Sequence, residues 1–109
     1  MLIFPLKKEW YEKIRSGEKT VEYREVKPYW RNRLIKYFQL DTDEMQEIGD
    51  SYIYSEKNLR AVCLLRLGYT NQYMIARINK IEVVDGKDTD LHINAPAYAI
   101  HLADVREHE

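Results

Sequence analysis

The apolar positions of this chain change period several times, and each change marks an element. Leu2 to Leu6 is a short apolar run containing Pro5, which has no backbone donor and so belongs at a sheet edge or strand end. It predicts a first strand. From Lys8 to Ser16 the period becomes helical: Trp10 and Ile14 fall four apart, Glu9 and Lys13 form a helix-favouring pair, and Gly17 stands where a helix C-cap belongs. Thr20 to Val26 then alternates, with Val21 and Tyr23 on one face and Glu22 and Arg24 on the other, and predicts a second strand. Pro28 suits the first turn of a second helix reaching about Gln39, in which Trp30, Leu34, Tyr37 and Phe38 recur at helical spacing. Asp41 to Asn58 is acidic and keeps no period, so it reads as a loop with at most one short element. Arg60 to Leu67 and Tyr73 to Val84, rich in Val, Ile, Leu and Tyr, flank the turn residues Gly68 to Gln72 as a hairpin. A turn around Gly86 precedes a last strand, Tyr98 to Val105.

Two early helices followed by clustered strands favour an α+β class over alternating α/β. Short strands joined by short turns in a small chain curl readily, because curling removes exposed edges. The expected fold is a small, open, mostly antiparallel β-barrel with two short helices in the N-terminal half. With 109 residues, no repeat and no Gly/Ser-rich linker, residues 1–109 form a single domain.

Composition narrows the function classes. The longest uninterrupted apolar run, Ala61 to Leu65, is far short of the roughly 20 residues a membrane helix needs, and no export signal is visible, so a cytoplasmic protein without a membrane partner is expected. Cys63 is the one cysteine, and His92, His101 and His108 have no partners at zinc-binding spacing, so neither a disulfide, a metal nor a cofactor is expected. Charge is uneven: residues 1–40 hold ten Lys/Arg against five Asp/Glu, and residues 41–109 hold seven against thirteen. Local charge sets the potential a ligand meets, so this split points to a cationic face built by the first half.

The candidate chemistry lies in Gly17-Glu-Lys-Thr-Val-Glu-Tyr-Arg24. Glu22 and Arg24, two apart on a strand, share a face and can meet one ligand together; Lys19 follows the Gly17 turn, where spacing alone does not place it. The pattern G-x-K-x-x-E-x-R after a short helix resembles the signature of the ASCH domain, a small β-barrel family similar to the PUA RNA-binding fold. Gly17, Lys19, Glu22 and Arg24 occupy all four fixed positions, and Glu25 to Arg33 resembles the continuation found in some bacterial and phage members. The likeness covers most of the chain apart from Asp41 to Asn58.

That resemblance implies a PUA-like barrel with a cationic cleft for RNA, a nucleotide or a nucleoside. In it Lys19 serves as a point charge for phosphate, Arg24 as a planar fork, and Glu22 as an acceptor for a base amino group or as a support for Arg24. Arg31 and Tyr69 are further ligand-binding candidates. Lys7 or Lys8 is expected to join Lys19, Arg24 and Arg31 around one concavity, with the acids of 41–58 elsewhere. On the second helix Trp30, Leu34 and Phe38 have core spacing, leaving Tyr29, Arg31 and Arg33 as exposed contacts for stacking bases and pairing phosphates. A binding module ranks first. Some ASCH proteins resemble amidohydrolases that deacetylate N4-acetylcytidine through a Lys, a Thr and a later Glu, which makes a small hydrolase, or a ribonuclease, using Lys19 and Glu22 the alternative. Here Glu22 stands where that Thr would be, and Asp85 to Asn94, the stretch matching the later Glu, contains none. The choice turns on whether a second carboxylate reaches Lys19, with Glu82 and the 41–58 loop as the first sources to inspect. A protein-interaction domain using the tyrosine-rich face is the third class.

Overall fold

A computed structural model of the chain describes residues 2–38, 53–54 and 62–108, the side chains of 35, 37, 38, 53 and 54 excepted. The order is β1 (Leu2–Leu6), α1 (Lys8–Arg15), β2 (Val21–Glu25), α2 (Pro28–Phe38), β3 (Ile53–Tyr54), β4 (Val62–Leu67), β5 (Tyr73–Asp85), a 3-10 turn (Gly86–Asp88) and β6 (Pro96–Glu107). The strands form one mixed half-barrel sheet in the order β1-β4-β5-β6-β2, with β3 pairing the second half of β5. Among the described residues only β1 and β4 run parallel. The α+β class and both helices of the N-terminal half are as expected. The acids Asp41, Asp43, Glu44, Glu47 and Asp50 lie outside the described residues.

Strand β5 is the spine, because its 13 residues pair β4 first and β3 later, and β6 along both halves. Its register against β6 shifts twice, between Ile75 and Arg77 and between Ile78 and Lys80. Such irregularities bend and twist a strand, and Asp104, at φ 52°, sits opposite the first and pairs with Arg77 at 3.1 Å. Inside the curve Phe4, Leu65, Met74, Ala76 and Ile78 are wholly buried. Helix α1 contributes Tyr11 and Ile14 to this core, packing on β4 and β6. Of the expected Trp10–Ile14 pair, Ile14 is buried and Trp10 is not: Tyr11 points inward in its place, and Trp10 is left half-buried at the side. Helix α2 lies on β1, with Trp30 stacked on Phe4 at 5.2 Å between ring centroids and Leu34 buried.

The strand path ends at β1 and β2, as Pro5 requires of β1. Among the described residues no ladder joins these ends; Arg24 does. Its Nη2 donates to the Pro5 carbonyl at 2.9 Å and to Glu22 Oε2 at 2.8 Å, while the guanidinium lies 5.3 Å from the Phe4 ring centroid and 5.0 Å from that of Trp30. Glu22 is only 4% exposed, so its charge depends on these partners.

Arg24→Lys keeps the charge and loses the fork and the stacked plane. The variant is expected to lose about 2–4 kcal/mol of stability in urea titration, since a buried carboxylate loses a partner. A loss below about 0.5 kcal/mol would show that the seam closes without this side chain. Cys63, wholly buried, has its thiol pushed up to about 12, first by burial and then by the Glu22 carboxylate. At pH 8 it is expected to resist alkylation in the folded protein and to react fully in denaturant, as mass spectrometry would read out.

Candidate functional site

Lys19 is positioned by the end of α1. Gly17 adopts φ 84°, a conformation that only glycine takes without strain, and its N–H returns to the Ile14 carbonyl at 3.1 Å. The Lys19 N–H then donates to the Lys13 carbonyl at 3.0 Å, folding the chain back so that Lys19 enters beside Glu22. The Lys19 side chain is 10% exposed. Its Nζ lies 3.4 Å from Glu22 Oε1 and is paired with Asp90 Oδ2. The ammonium also lies 4.7 Å from the Trp10 ring centroid and 5.3 Å from that of Tyr23. One cation thus sits between two carboxylates and two aromatic rings.

Asp90 comes from the stretch after β5 that contains no Glu, and it is the second carboxylate on which the choice between binding and hydrolysis turns. The first-named source, Glu82, is engaged elsewhere. It pairs with Lys80 at 2.8 Å and His101 at 3.3 Å, and the Lys80 contact holds its carboxyl below the usual range. Asp90 is set by a tightly bonded turn. The Gly86 N–H donates to the Ala95 carbonyl at 2.9 Å, and the Gly86 carbonyl accepts from Thr89 Oγ1 at 2.8 Å and the Ile93 N–H at 3.2 Å. A Cβ at Gly86 would overlap the Ala95 carbonyl oxygen and the Ile93 side chain. Buried Thr89 also accepts the Leu91 N–H at 3.1 Å, which places Asp90 on the inner side of the turn.

These residues line a cavity of about 470 Å³. Lys7, Lys19 and Arg24 supply its cations; Glu9, Glu22, Glu25 and Asp90 supply its carboxylates. The expected all-cationic concavity is therefore a mixed one, because the first half of the chain brings its own acids to the same face. Lys7 joins it and Lys8 does not. Arg31 lies exposed on α2, and Tyr69, 92% exposed, stands at the β4–β5 turn; neither lines the cavity. Sequence reasoning missed Trp10 and Asp90. A helical spacing that reads as core concealed the first, and a search for Glu alone passed over the second.

Among the described residues no group of three or more His, Cys, Asp or Glu is arranged to hold a metal, and no helix is long and apolar enough to cross a membrane.

Gly86→Ala is expected to cost about 1–3 kcal/mol by overpacking the turn. It should also shrink the Lys19–Asp90 coupling energy in a double-mutant cycle. Full coupling retained in the Gly86→Ala background would mean that the turn does not position Asp90.

In comparisons with protein-family models, with curated proteins and with solved structures, nothing matches this chain.

Proposed function

We propose that the chain is an ASCH-type, PUA-like domain whose cavity receives one nucleobase, carried by a nucleoside, a nucleotide or an RNA. The observation that carries this reading is the Lys19 ammonium held between Glu22 and Asp90, beside Trp10 and Tyr23, in a space of about 470 Å³. Pockets of 300–1,000 Å³ with a few convergent polar groups are the usual size for small ligands. A base edge presents donors and acceptors together: the cytosine amino group donates, and the ring nitrogen and carbonyl accept. Carboxylates interleaved with Lys7, Lys19 and Arg24 complement such an edge. A run of phosphates would meet four carboxylates here, so the mixed lining favours a base over a backbone. The Gly17–Arg24 pattern and the half-barrel sheet support the family reading.

Asp90 on Lys19 favours a second reading, hydrolysis of an N4-acylated, cytidine-like amide. In that reaction an Asp90 or Glu22 carboxylate takes a proton from water as its oxygen bonds to the acyl carbon. The Lys19 ammonium stabilises the oxyanion, and the carbon–nitrogen bond breaks as the amine regains a proton. Lys19 then works as a cation.

Titration of cytidine and N4-acetylcytidine into the protein separates the readings. Saturable binding is expected, weakened by about 1–3 kcal/mol in Lys19→Ala. No binding by either nucleoside at about 1 mM would overturn the proposal. Acetate release that falls ~10²-fold or more in Asp90→Asn, with affinity kept, would promote the hydrolase.

A further inference from the structure

Helix α2 has an exposed face whose chemistry differs from that of the cavity. The helix carries Arg31, Arg33 and Lys36 and no acidic residue. Among the described residues neither Arg31 nor Arg33 has a carboxylate partner, whereas most other basic side chains in and around the cavity are paired. Arg33 places its guanidinium 4.0 Å from the Tyr29 ring centroid. Tyr29 is 57% exposed yet held, its ring edge-on to Trp30 at 5.0 Å and 87°, and Trp30 is itself stacked on Phe4. An exposed aromatic ring, pre-ordered beside a guanidinium that has no acid partner among the described residues, is a stacking platform that loses little side-chain freedom on binding.

This platform is continuous with the cavity. Arg24 lines the cavity and lies 5.0 Å from the Trp30 ring centroid, and Tyr29 touches that same indole. Glu25, also on the lining, pairs at 2.9 Å with Lys27, two residues before Tyr29. We infer that α2 docks a single-stranded polynucleotide whose selected base enters the cavity, with a neighbouring base on Tyr29 and a flanking phosphate on Arg33, four residues on along the same helix face. The inference rests on the base-binding reading of the cavity and goes past it, since it makes the ligand a strand and not a free nucleoside. Charge complementarity selects the occupant: the mixed lining repels a backbone, and α2, whose own sequence carries basic and no acidic residues, attracts one.

The test compares an oligoribonucleotide of about eight nucleotides with the free nucleoside, on wild type, Tyr29→Ala and Arg33→Glu. These side chains are exposed or at the surface, and a matched Arg33→Gln variant with unchanged melting controls for folding. The oligonucleotide is expected to bind at least tenfold more tightly than the nucleoside. Charge reversal should reduce that advantage and lower the log–log salt slope by about 0.7, one phosphate's worth; Tyr29→Ala should weaken binding roughly tenfold. Nucleoside affinity should stay constant in every variant. An oligonucleotide no tighter than the nucleoside, or indifferent to charge reversal, overturns the inference and leaves the cavity reading standing. Equal competition by polyglutamate overturns it in favour of an acidic protein partner. Strand binding that needs α2 while no nucleoside binds overturns the cavity reading, and with it the placement of the selected base.

Discussion

The Glu22 carboxylate is the group around which the rest of this molecule is arranged. A carboxylate 4% exposed is tolerated only if both oxygens find cationic or hydrogen-bonding partners, and here one oxygen takes Arg24 while the other takes Lys19 and the Tyr23 N–H at 3.2 Å. Each partner then has its own consequence. Arg24, fixed by Glu22, reaches the Pro5 carbonyl and joins the two ends of the sheet; Lys19, fixed by Glu22, recruits Asp90 and forms the floor of the cavity. Fold closure and site assembly are thus two ends of one buried network.

How such a network arises from sequence depends on range. Glu22 and Arg24 were legible as one face because strand parity is a local rule; Lys19 was not placed by spacing and was singled out only by the resemblance of the Gly17–Arg24 pattern. Pro5 at the sheet edge followed from its missing N–H. Asp90 was not legible: it stands 71 residues from Lys19, and only the return of β5 and the Gly86 turn bring the two together. Trp10 shows another limit, since four-residue spacing identifies a shared helix face and says nothing of which neighbouring face, Tyr11 or Trp10, the sheet will cover. The charge count by halves also misled for a physical reason. Sequence halves are not surface halves, and Glu9, Glu22 and Glu25 travel with the cations that surround them.

The turn carrying Asp90 and the end of α1 carrying Lys19 solve the same problem differently. At Gly17 the backbone takes a conformation that a side chain would strain; at Gly86 the backbone is ordinary and the space is filled. Both lock an ionisable group against water on elements that are short and, by themselves, weak.

The seam between β1 and β2 has a thermodynamic meaning of its own. A barrel closed by a ladder is sealed by many backbone hydrogen bonds, none of which a small molecule can replace. Here, among the described residues, the sheet ends are joined by one guanidinium that also forms part of the cavity wall, so an occupant that adds hydrogen bonds to Arg24 or Glu22 draws on the same group that joins them. Occupancy and folding then share one equilibrium: whatever fills the cavity without displacing Pro5 from Arg24 stabilises the whole domain by mass action. Whatever takes Arg24 for itself loosens the sheet that holds the site.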